Sequence, residues 1–183
     1  MSFSKPILKN CFSLLLFAGL NAYVKDVDLD QAERITLQPD LQVDLLIFDV
    51  DEVDFRDTIT GAMKTIIRDT VRLEFLDDDY IQDDLSAVEF SFKYINTFPQ
   101  SFNNTIFFVS ENNSIQHRVD FSINQGANAN PVTTEIIELI SEDQIGLIRR
   151  SIKMVVEIEV IPDSKPFTGE LTFQSKGLFS FQF

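Results

Sequence analysis

Apolar and polar residues alternate along most of the chain. The alternation is clearest over residues 87–98, where Val88, Phe90, Phe92 and Tyr94 are separated by polar side chains. Successive side chains of a β-strand point to opposite faces, so this period of two predicts a strand with one buried face. The same pattern predicts a first strand from residue 35. The positions expected to share its buried face are Ile35, Leu37, Leu41, Val43, Leu45 and Ile47.

Further runs along the chain also have strand character. They cover residues 66–76, 104–109, 117–123, 133–139, 152–161 and 170–183. Asn and Ser residues over 110–114 favour a turn through hydrogen bonds to their own backbone, which predicts a β-hairpin between two of these strands. Lys176 and Gly177 predict a bend or β-bulge in the last strand.

One short helix is predicted near residue 145. Ser141 and Gln144 have the spacing of a capping box, in which each side chain bonds to the other residue's backbone N–H. This predicts a helix over residues 142–150, whose final two arginines complement the helix dipole. The acidic connection over residues 77–85 has room for one more helical turn. About seven to nine strands with one short helix predict an all-β chain folded as an antiparallel β-sandwich.

The start of the chain has the pattern of a secretory signal. Residues 1–10 carry two lysines and no acid, and residues 11–20 form an apolar block that is followed by the small residue Ala22. A membrane-spanning helix needs about 20 apolar residues, whereas a signal peptide needs only a short block. We therefore predict a signal peptide over 1–22, cleavage between Ala22 and Tyr23, an acidic tether over 23–34 and a β-sandwich domain over 35–183. The predicted location is the periplasm or the outer-membrane surface.

Residues 20–22 resemble the end of a bacterial lipoprotein signal, and the alternating acids at 26–30 resemble the tether that follows it in surface lipoproteins. Tyr23 stands where the lipidated cysteine of that pattern would be. Cys11, the sole cysteine, precedes the apolar core of the signal and cannot replace it. Three explanations stay open: a secreted relative cleaved after Ala22, a single-codon change from cysteine, or an accidental similarity. The sequence therefore leaves open whether the chain is tethered to a membrane, because Tyr23 replaces the cysteine that would carry the lipid.

The charge of the chain limits its partners. The formal net charge is −14, and a polyanion of this size is repelled by nucleic-acid phosphates and by anionic lipid head groups. Nucleic acid is therefore excluded as an expected partner. Cations or a basic protein surface remain candidates beside the simpler reading that the acids confer solubility.

The chemistry-bearing residues do not assemble into a catalytic motif. His117 is the only histidine, and no Gly-x-Ser-x-Gly elbow accompanies it, so we expect it to be a surface residue of the hairpin. Calcium loops need Gly at position 6 and Glu at position 12; loops starting at Asp26 or at Asp49 have neither. An irregular carboxylate site for a hard cation within 77–84 is the weaker alternative to a solvated loop. We predict no catalytic residue, no cofactor, no metal site and no enzymatic activity.

A resemblance to a known family rests on the opening ITLQPDLQVDLLIFDVDEVDF and on the order of elements after it. These are a strand that ends in Asn96-Thr-Phe-Pro99, a hairpin, a short helix, a further long apolar strand and a Phe-alternating end. In this respect residues 30–183 resemble an immunoglobulin-like β-sandwich family of bacterial outer-membrane and surface lipoproteins of uncharacterised function. The family is similar in plan to the late-embryogenesis-abundant type-14 sandwich. The resemblance implies an immunoglobulin-like sandwich and carries no catalytic residues.

These observations favour a non-enzymatic, exported cell-envelope protein that serves as an adaptor or accessory subunit by binding another envelope or outer-membrane protein. One alternative is a fimbria-like structural subunit whose C-terminal residues 177–183 complete the sheet of a neighbour. Another is a small outer-membrane β-barrel. The absence of Trp and the presence of only three Tyr argue against the aromatic girdles that such a barrel needs.

Overall fold

The computed structural model describes residues 39–182, apart from the side chains of residues 77, 79 and 80. The predicted signal peptide, its cleavage between Ala22 and Tyr23, the acidic tether and the strand positions Ile35 and Leu37 lie outside the described residues. No helix within 39–182 is long and apolar enough to cross a membrane.

The described residues form eight strands and three short helical segments. The strands are β1 (Asp40–Asp51), β2 (Ile66–Arg72), β3 (Leu85–Asn96), β4 (Phe102–Val109), β5 (Ile115–Ile123), β6 (Val132–Ile140), β7 (Lys153–Val160) and β8 (Glu170–Phe181). The helical segments are a 3-10 turn (Glu74–Asp77), α1 (Asp79–Asp84) and α2 (Ile145–Arg149). The strand number agrees with the prediction, whereas the sequence predicted one helix and the described part of the chain has two.

The strands form two antiparallel sheets with the orders β1-β8-β3-β6 and β2-β7-β4-β5. The strands pair in a nested order: β4 pairs with β5, β3 with β6, β2 with β7, and β1 with β8. This arrangement is a jelly roll. The predicted all-β antiparallel sandwich is confirmed. Within that class, the strand order differs from the immunoglobulin order implied by the resemblance, which has sheets ABED and CFG. The two separate sheets also exclude one closed sheet for the described residues.

A β-bulge in β1 changes which of its residues face the core. The pairing with β8 shifts register between Asp44 and Ile47, so that Leu45 and Leu46 lie opposite Ser175 alone. Beyond the bulge the alternation is reversed: Ile47 is 59% exposed, and Phe48 and Val50 turn inward. The prediction that Ile47 shares the buried face is therefore wrong, because the extra residue moves the rest of the strand to the opposite face.

The predicted bulge at Lys176–Gly177 in β8 is also wrong, since the extra residue lies in the partner strand β1. Gly177 has a packing reason instead. A Cβ at this position would lie 2.5 Å from Cε2 and 2.8 Å from Cζ of Phe179. The missing side chain therefore provides space for the Phe179 ring in the core.

Two predicted helix and strand boundaries also change. Strand β2 ends at Arg72, and the apolar residues after it enter the 3-10 turn, where Leu73 and Leu76 are buried. The predicted capping box at Ser141 does not form: the Ser141 hydroxyl donates to the Asp143 carboxylate, and α2 starts three residues later than predicted, at Ile145. The Ser141 hydroxyl donates to a neighbouring side chain, and no side chain accepts a hydrogen bond from the N-terminal N–H groups of α2 as a cap.

Phenylalanine rings fill the space between the sheets. Phe90 and Phe92 of β3 are fully buried, as predicted from the alternation. The ring of Phe90 lies 4.5 Å from that of Phe108 in the opposite sheet, and Phe92 and Phe173 are stacked at 6.5 Å. Each buried Phe contributes on the order of 1.5–3 kcal/mol to folding, so these rings hold the two layers together.

A second group of rings closes the end of the sandwich where three loops meet. Phe55 from the β1–β2 loop contacts Phe167 from the β7–β8 loop at 5.1 Å and Phe102 at the start of β4 at 5.8 Å. Phe98 from the β3–β4 loop stacks on Phe167 at 4.7 Å. The rings therefore anchor the β1–β2 loop, although its sequence is largely polar.

Asn96 reinforces the same end through its side chain, which is fully buried. Its Nδ2 donates to the carbonyl oxygens of Gln100 at 2.9 Å and Asn124 at 2.8 Å, and its Oδ1 accepts from the N–H of Phe98 at 2.8 Å. Buried polar groups are stable only when they are bonded in this way. The Asn96-Thr-Phe-Pro99 step thus joins the β3–β4 loop to the β5–β6 connection.

Candidate functional site

The sandwich is open on the side where the edge strands β1 and β2 face each other, and a groove of about 440 Å³ lies there. Phe48 and Val50 of β1 line one wall, and Ile67 of β2 lines the other. Val156 and Ile158 of the neighbouring strand β7 form the apolar floor. The groove lies between β1 and β2, which are edge strands of their sheets in the described chain. Val156 and Ile158 beneath it are each 1% exposed, so the accessible apolar surface of the groove is that of the half-buried Phe48, Val50 and Ile67.

Charged side chains surround this apolar groove. Asp49, Asp54, Lys64, Arg68 and Asp69 contribute to its lining. Arg68 is engaged on the outer face of its sheet by an ion pair with Glu157 of β7. An apolar floor with a few charged groups around it is the usual composition of a ligand groove.

The groove continues into a second hollow of about 470 Å³, and the two share Asp49, Val50 and Asp54. The lining of this second hollow contains no Lys, Arg or His. Its carboxylates are those of Asp49, Asp51, Glu52, Asp54 and Glu170. We call the apolar groove and this acidic hollow together the β1–β2 groove.

The acidic hollow is held in place by bonds within its own loop. The N–H of Asp51 donates to Oδ2 of Asp54 at 3.0 Å, and the N–H of Val53 donates to Oδ1 of Asp51 at 2.7 Å. Within residues 39–182, no three His, Cys, Asp or Glu side chains converge closely enough to hold a metal ion.

Among the described strands, β2 pairs with β7 alone, so one edge of β2 faces the groove. The N–H of Val160 donates to the carbonyl of Thr65 at 2.9 Å. Bonded and non-bonded residue pairs alternate along an antiparallel ladder. The backbone groups of Ile66 and Arg68 consequently point away from β7, towards the open side. A second chain in extended conformation can bond to groups in this position.

Further along β2 this edge is closed. Oδ1 of Asp69 accepts from the N–H of Thr70 at 2.7 Å, which occupies the next outward-pointing donor. Asp69 lies on the inward-facing side of the strand between Ile67 and Val71, yet it is exposed because β2 is at the edge. A charge pointing inward from an edge strand discourages indiscriminate strand pairing. At the start of β2, beside the groove, no described side chain is seen to bond to the outward backbone groups of Ile66 and Arg68.

The loop between β1 and β2 contains a turn that is held by hydrogen bonds to Asp57. Oδ1 of Asp57 accepts from the N–H of Ile59 at 3.0 Å and of Thr60 at 2.8 Å. The hydrogen bond from the backbone N–H of Thr60 is the main reason why the pKa of the Asp57 carboxyl lies below its usual value. Gly61 completes the turn with a φ of 68°, which favours glycine. These bonds fix the conformation of the turn over residues 57–61, which does not itself line the groove.

His117 is not part of this groove. It lies on the inward face of β5, at the opposite side of the sandwich, and its Nε2 is 2.8 Å from Oε1 of Glu138 on β6. Its side chain is 16% exposed, so the prediction of a surface histidine is wrong. The hairpin alternation turns it towards Phe108, whose ring lies 6.1 Å away. The pair joins the edges of the two sheets, and this role is structural.

In its described part, the acidic connection at 77–84 is bonded to α2. The carbonyl of Asp83 accepts from Nη2 of Arg149 at 3.1 Å, and Nε2 of Gln82 donates to the carbonyl of Arg149 at 2.8 Å. These bonds link α1 to α2. Residues of the β1–β2 groove, in contrast, were not singled out from the sequence as a binding site. The feature of the sequence that pointed to them was the density of acidic residues between 49 and 54.

No protein-family model matches the chain, and no curated protein matches it in sequence. Among solved structures, the VP2 subviral particle of infectious bursal disease virus is 7% identical, with a TM-score of 0.47 over 78% of this chain and 32% of that chain. A "putative secreted protein" of Parabacteroides distasonis ATCC 8503 is 16% identical, with a TM-score of 0.45 over 62% of this chain and 37% of that chain. The enzymatically active domain of bacteriophage CBA120 tailspike protein 4 is 10% identical, with a TM-score of 0.39 over 78% of this chain and 19% of that chain.

The chain therefore spans between 19% and 37% of the length of these three proteins. Likeness at this level carries no information about what the chain binds. Its class is defined by its own strand order and site: an all-β jelly-roll sandwich with an apolar groove that continues into an acidic hollow.

Proposed function

We propose that the chain is a non-enzymatic, exported adaptor of the cell envelope that binds an extended, basic segment of another envelope protein in the β1–β2 groove. One observation carries this proposal: an apolar groove between two edge strands continues into a hollow that contains five carboxylates and no cationic side chain. The bound segment would place an apolar side chain in the groove and a lysine or arginine in the hollow.

The hydrophobic and electrostatic contributions to binding favour such a ligand. Full burial of one valine or leucine side chain is worth on the order of 1.5–3 kcal/mol, and the half-buried Phe48, Val50 and Ile67 offer apolar surface for a part of this burial. Four of the five carboxylates of the hollow are exposed and Glu52 is half-buried, so they attract a cation as a cluster of surface acids whose attraction is screened by salt. The net charge of −14 would increase the rate at which a basic segment arrives.

The extended conformation follows from the edge. The outward backbone groups of Ile66 and Arg68 offer donors and acceptors to a strand that runs along the groove, as in other complexes formed by strand addition. The envelope location and the adaptor role rest on the predicted signal over 1–22 and on the resemblance of the sequence to surface lipoproteins. The lack of catalytic activity rests on the absence of a nucleophile–base motif in the sequence.

The fimbria-like alternative gains no support from the position of β8. This strand lies in the middle of its sheet, with β1 on one side and β3 on the other. Donation of residues 177–183 to a neighbour would require the removal of a central strand that carries the buried rings of Phe173 and Phe179.

The test is a titration of the full chain with a synthetic peptide of alternating lysine and valine, followed by nuclear magnetic resonance. We expect saturable shifts at Phe48, Val50 and Ile67, and weaker binding as salt is raised. The double variant Asp49→Asn with Glu170→Gln should weaken binding by about fivefold or more.

Two controls make the outcome decisive. The variant Glu111→Gln removes one exposed acid at the tip of the β4–β5 hairpin, remote from the groove, and should bind as the unchanged chain does. A peptide with glutamate in place of lysine should not bind. Equal binding of both peptides, or equal weakening by Glu111→Gln, would show a non-specific polyanion and would overturn the proposal.

A further inference from the structure

The apolar groove has a carboxylate at the end that lies away from the acidic hollow. Asp69 is two residues beyond Ile67 on the same, inward-facing side of β2, where it lies opposite the buried Val156 of β7. Asp69 is exposed and contributes to the lining of the apolar groove. The half-buried side chain of Ile67 is therefore followed along the strand by a negative charge on the same face.

The acidic hollow lies beyond the other end of this strand, where β2 begins. The N–H of Lys64 donates to the carbonyl of Phe55 at 2.8 Å, so the chain that follows β1 is bonded to the chain that precedes β2. Asp54, which lines both the apolar groove and the hollow, belongs to this stretch. Along β2 the order is therefore the acidic hollow, the apolar side chain of Ile67 and the carboxylate of Asp69.

The two cationic residues of the groove lining interact with acids outside it. Arg68 alternates to the outer face of its sheet, where it pairs with Glu157. Lys64 lies close enough to Asp57 to help lower the pKa of that carboxyl, although the hydrogen bond from the backbone N–H of Thr60 has the larger effect. Negative charge on both sides of an apolar centre thus dominates the inward-facing side of β2.

We infer that the groove binds a short extended segment in which one cationic residue lies two positions before an apolar residue and another lies two positions after it, paired with β2 in antiparallel fashion. This inference rests on the proposed function and specifies the sequence of the ligand. Side chains two positions apart in a strand share a face and are separated by about 6.4–6.8 Å. The apolar side chain then meets Ile67 while the first cation meets Asp69 and the second reaches the hollow.

The direction of the segment follows from the sheets that are already present. All strand pairs of the described chain are antiparallel. Purely antiparallel sheets are over-represented among proteins, and antiparallel pairs are slightly more stable per residue than parallel ones. An antiparallel segment places its N-terminal cation at Asp69 and its C-terminal cation at the hollow.

The length of the segment follows from the edge of β2. The outward backbone groups of Ile66 and Arg68 face the two residues between the cations and the apolar residue. Pairing ends beyond them, because Asp69 accepts a hydrogen bond from the N–H of Thr70. The segment that the groove recognises therefore spans about five residues, opposite residues 65–69, and the two intervening side chains lie on the outer face.

The test compares two peptides of equal composition and charge by nuclear magnetic resonance titration of the full chain at low salt. The spaced peptide is Lys-Thr-Val-Thr-Lys and the adjacent peptide is Thr-Lys-Val-Lys-Thr, both with blocked ends so that no terminal charge remains. Only the spaced peptide places valine and both cations on one face. We expect the adjacent peptide to have a dissociation constant about fivefold higher or more.

A single-charge variant tests the register and the direction. Asp69→Asn removes the charge and keeps an oxygen that can accept from the N–H of Thr70. It should weaken binding of the spaced peptide and of Lys-Thr-Val-Thr-Thr by about two- to fivefold, and it should leave binding of Thr-Thr-Val-Thr-Lys unchanged. Asp44→Asn, at an exposed acid of β1 outside the groove lining, is the matched control and should change neither. Melting temperatures establish that both variants are folded.

The possible results separate this inference from the proposed function. Equal binding of the spaced and adjacent peptides would overturn the inferred pattern and leave the groove as a site for basic segments. Weakening of Thr-Thr-Val-Thr-Lys alone by Asp69→Asn would show a parallel segment, and equal weakening by Asp44→Asn would show non-specific attraction. Either result would overturn the inference. Failure of every basic peptide to bind would overturn the proposed function as well.

Discussion

The hydroxyl of Ser175 binds both backbone groups of Leu46: it accepts from the N–H and donates to the carbonyl oxygen, each at 3.0 Å. Leu46 lies in the bulge of β1, where the ladder to β8 has no backbone partner for it. Ser175 is 3% exposed, so water cannot easily take its place. One side chain thus satisfies the donor and the acceptor that the bulge leaves unpaired, and in doing so determines the face on which Phe48 and Val50 meet the groove.

Replacement of this hydroxyl should destabilise the fold. Ser175→Ala leaves a buried N–H and a buried carbonyl without partners, and we expect a loss of about 1–3 kcal/mol in the free energy of unfolding, measured by urea titration. Ser122→Ala, on the exposed face of β5, is the control and should change stability by less than about 0.5 kcal/mol. A similar, small effect of both variants would contradict the role assigned to Ser175.

The close approach at Gly177 gives a second prediction. In Gly177→Ala the new Cβ collides with the Phe179 ring, and overpacking of this kind costs about 1–3 kcal/mol. Gly146→Ala is the matched control. It lies in α2 with its nearest atom, Nη1 of Arg150, at 3.5 Å, and it should stabilise the chain slightly, because alanine favours a helix by up to about 1 kcal/mol. Melting temperatures should therefore move in opposite directions, and a fall in both would be inconsistent with this packing.

The buried hydroxyl of Tyr94 leads us to expect that the protein loses stability at alkaline pH. Its hydroxyl donates to Oδ1 of Asn104 at 2.6 Å, and burial raises its pKa well above the usual value. A folded-state pKa above the unfolded one means that the stabilisation is complete below about pH 10 and is lost as pH rises towards the folded value.

The measurement is the free energy of unfolding as a function of pH. Tyr94→Phe should lower stability near neutral pH, because Asn104 loses its donor, and it should flatten the decline above about pH 10. Identical alkaline slopes for Tyr94→Phe and the unchanged chain would mean that another group causes the decline.

The bond between His117 and Glu138 predicts a coupled effect. Each single change, His117→Ala or Glu138→Ala, leaves the partner half-buried and without this bond, and we expect a cost of about 1–2 kcal/mol. The double variant should cost less than the sum of the two single changes, with a coupling energy of about 0.5 kcal/mol or more. Strict additivity in a double-mutant cycle would mean that the contact does not hold the sheet edges together.

The predicted signal calls for a separate measurement, the intact mass and N-terminal peptide of the protein recovered from its host. We expect a chain that starts at Tyr23 without acyl groups, since Tyr23 has no thiol to modify. A chain that still starts at Met1 would remove the export prediction and, with it, the envelope location of the proposed adaptor.

The alternation was a reliable guide wherever one strand faced the core throughout its length. Phe90, Phe92 and Tyr94 are buried as predicted because β3 lies inside its sheet and has no irregularity between them. The same rule failed at Ile47, although the local pattern there looked equally regular. The bulge depends on Ser175, which is more than a hundred residues away in the chain, and no local pattern contains that information.

The β1–β2 groove could not be predicted from the sequence, for a similar reason. Its apolar floor comes from Val156 and Ile158, its walls from Phe48 and Ile67, and its acidic end includes Glu170. Alternation says which face of a strand each of these residues occupies, but not which strands are neighbours. His117 illustrates the same limit, since its partner Glu138 lies on the other sheet.

By itself, the sequence determined the all-β class of this protein, because alternating runs rich in Phe, Ile and Val form strands with one buried face. It also determined the acidic character of the loops that surround the groove. The tertiary structure alone decided the jelly-roll order of the strands, the reversal of β1 at its bulge, and which strands were left at the edges. These features depend on contacts between distant residues, whose free energy is realised only when the two sheets pack against each other.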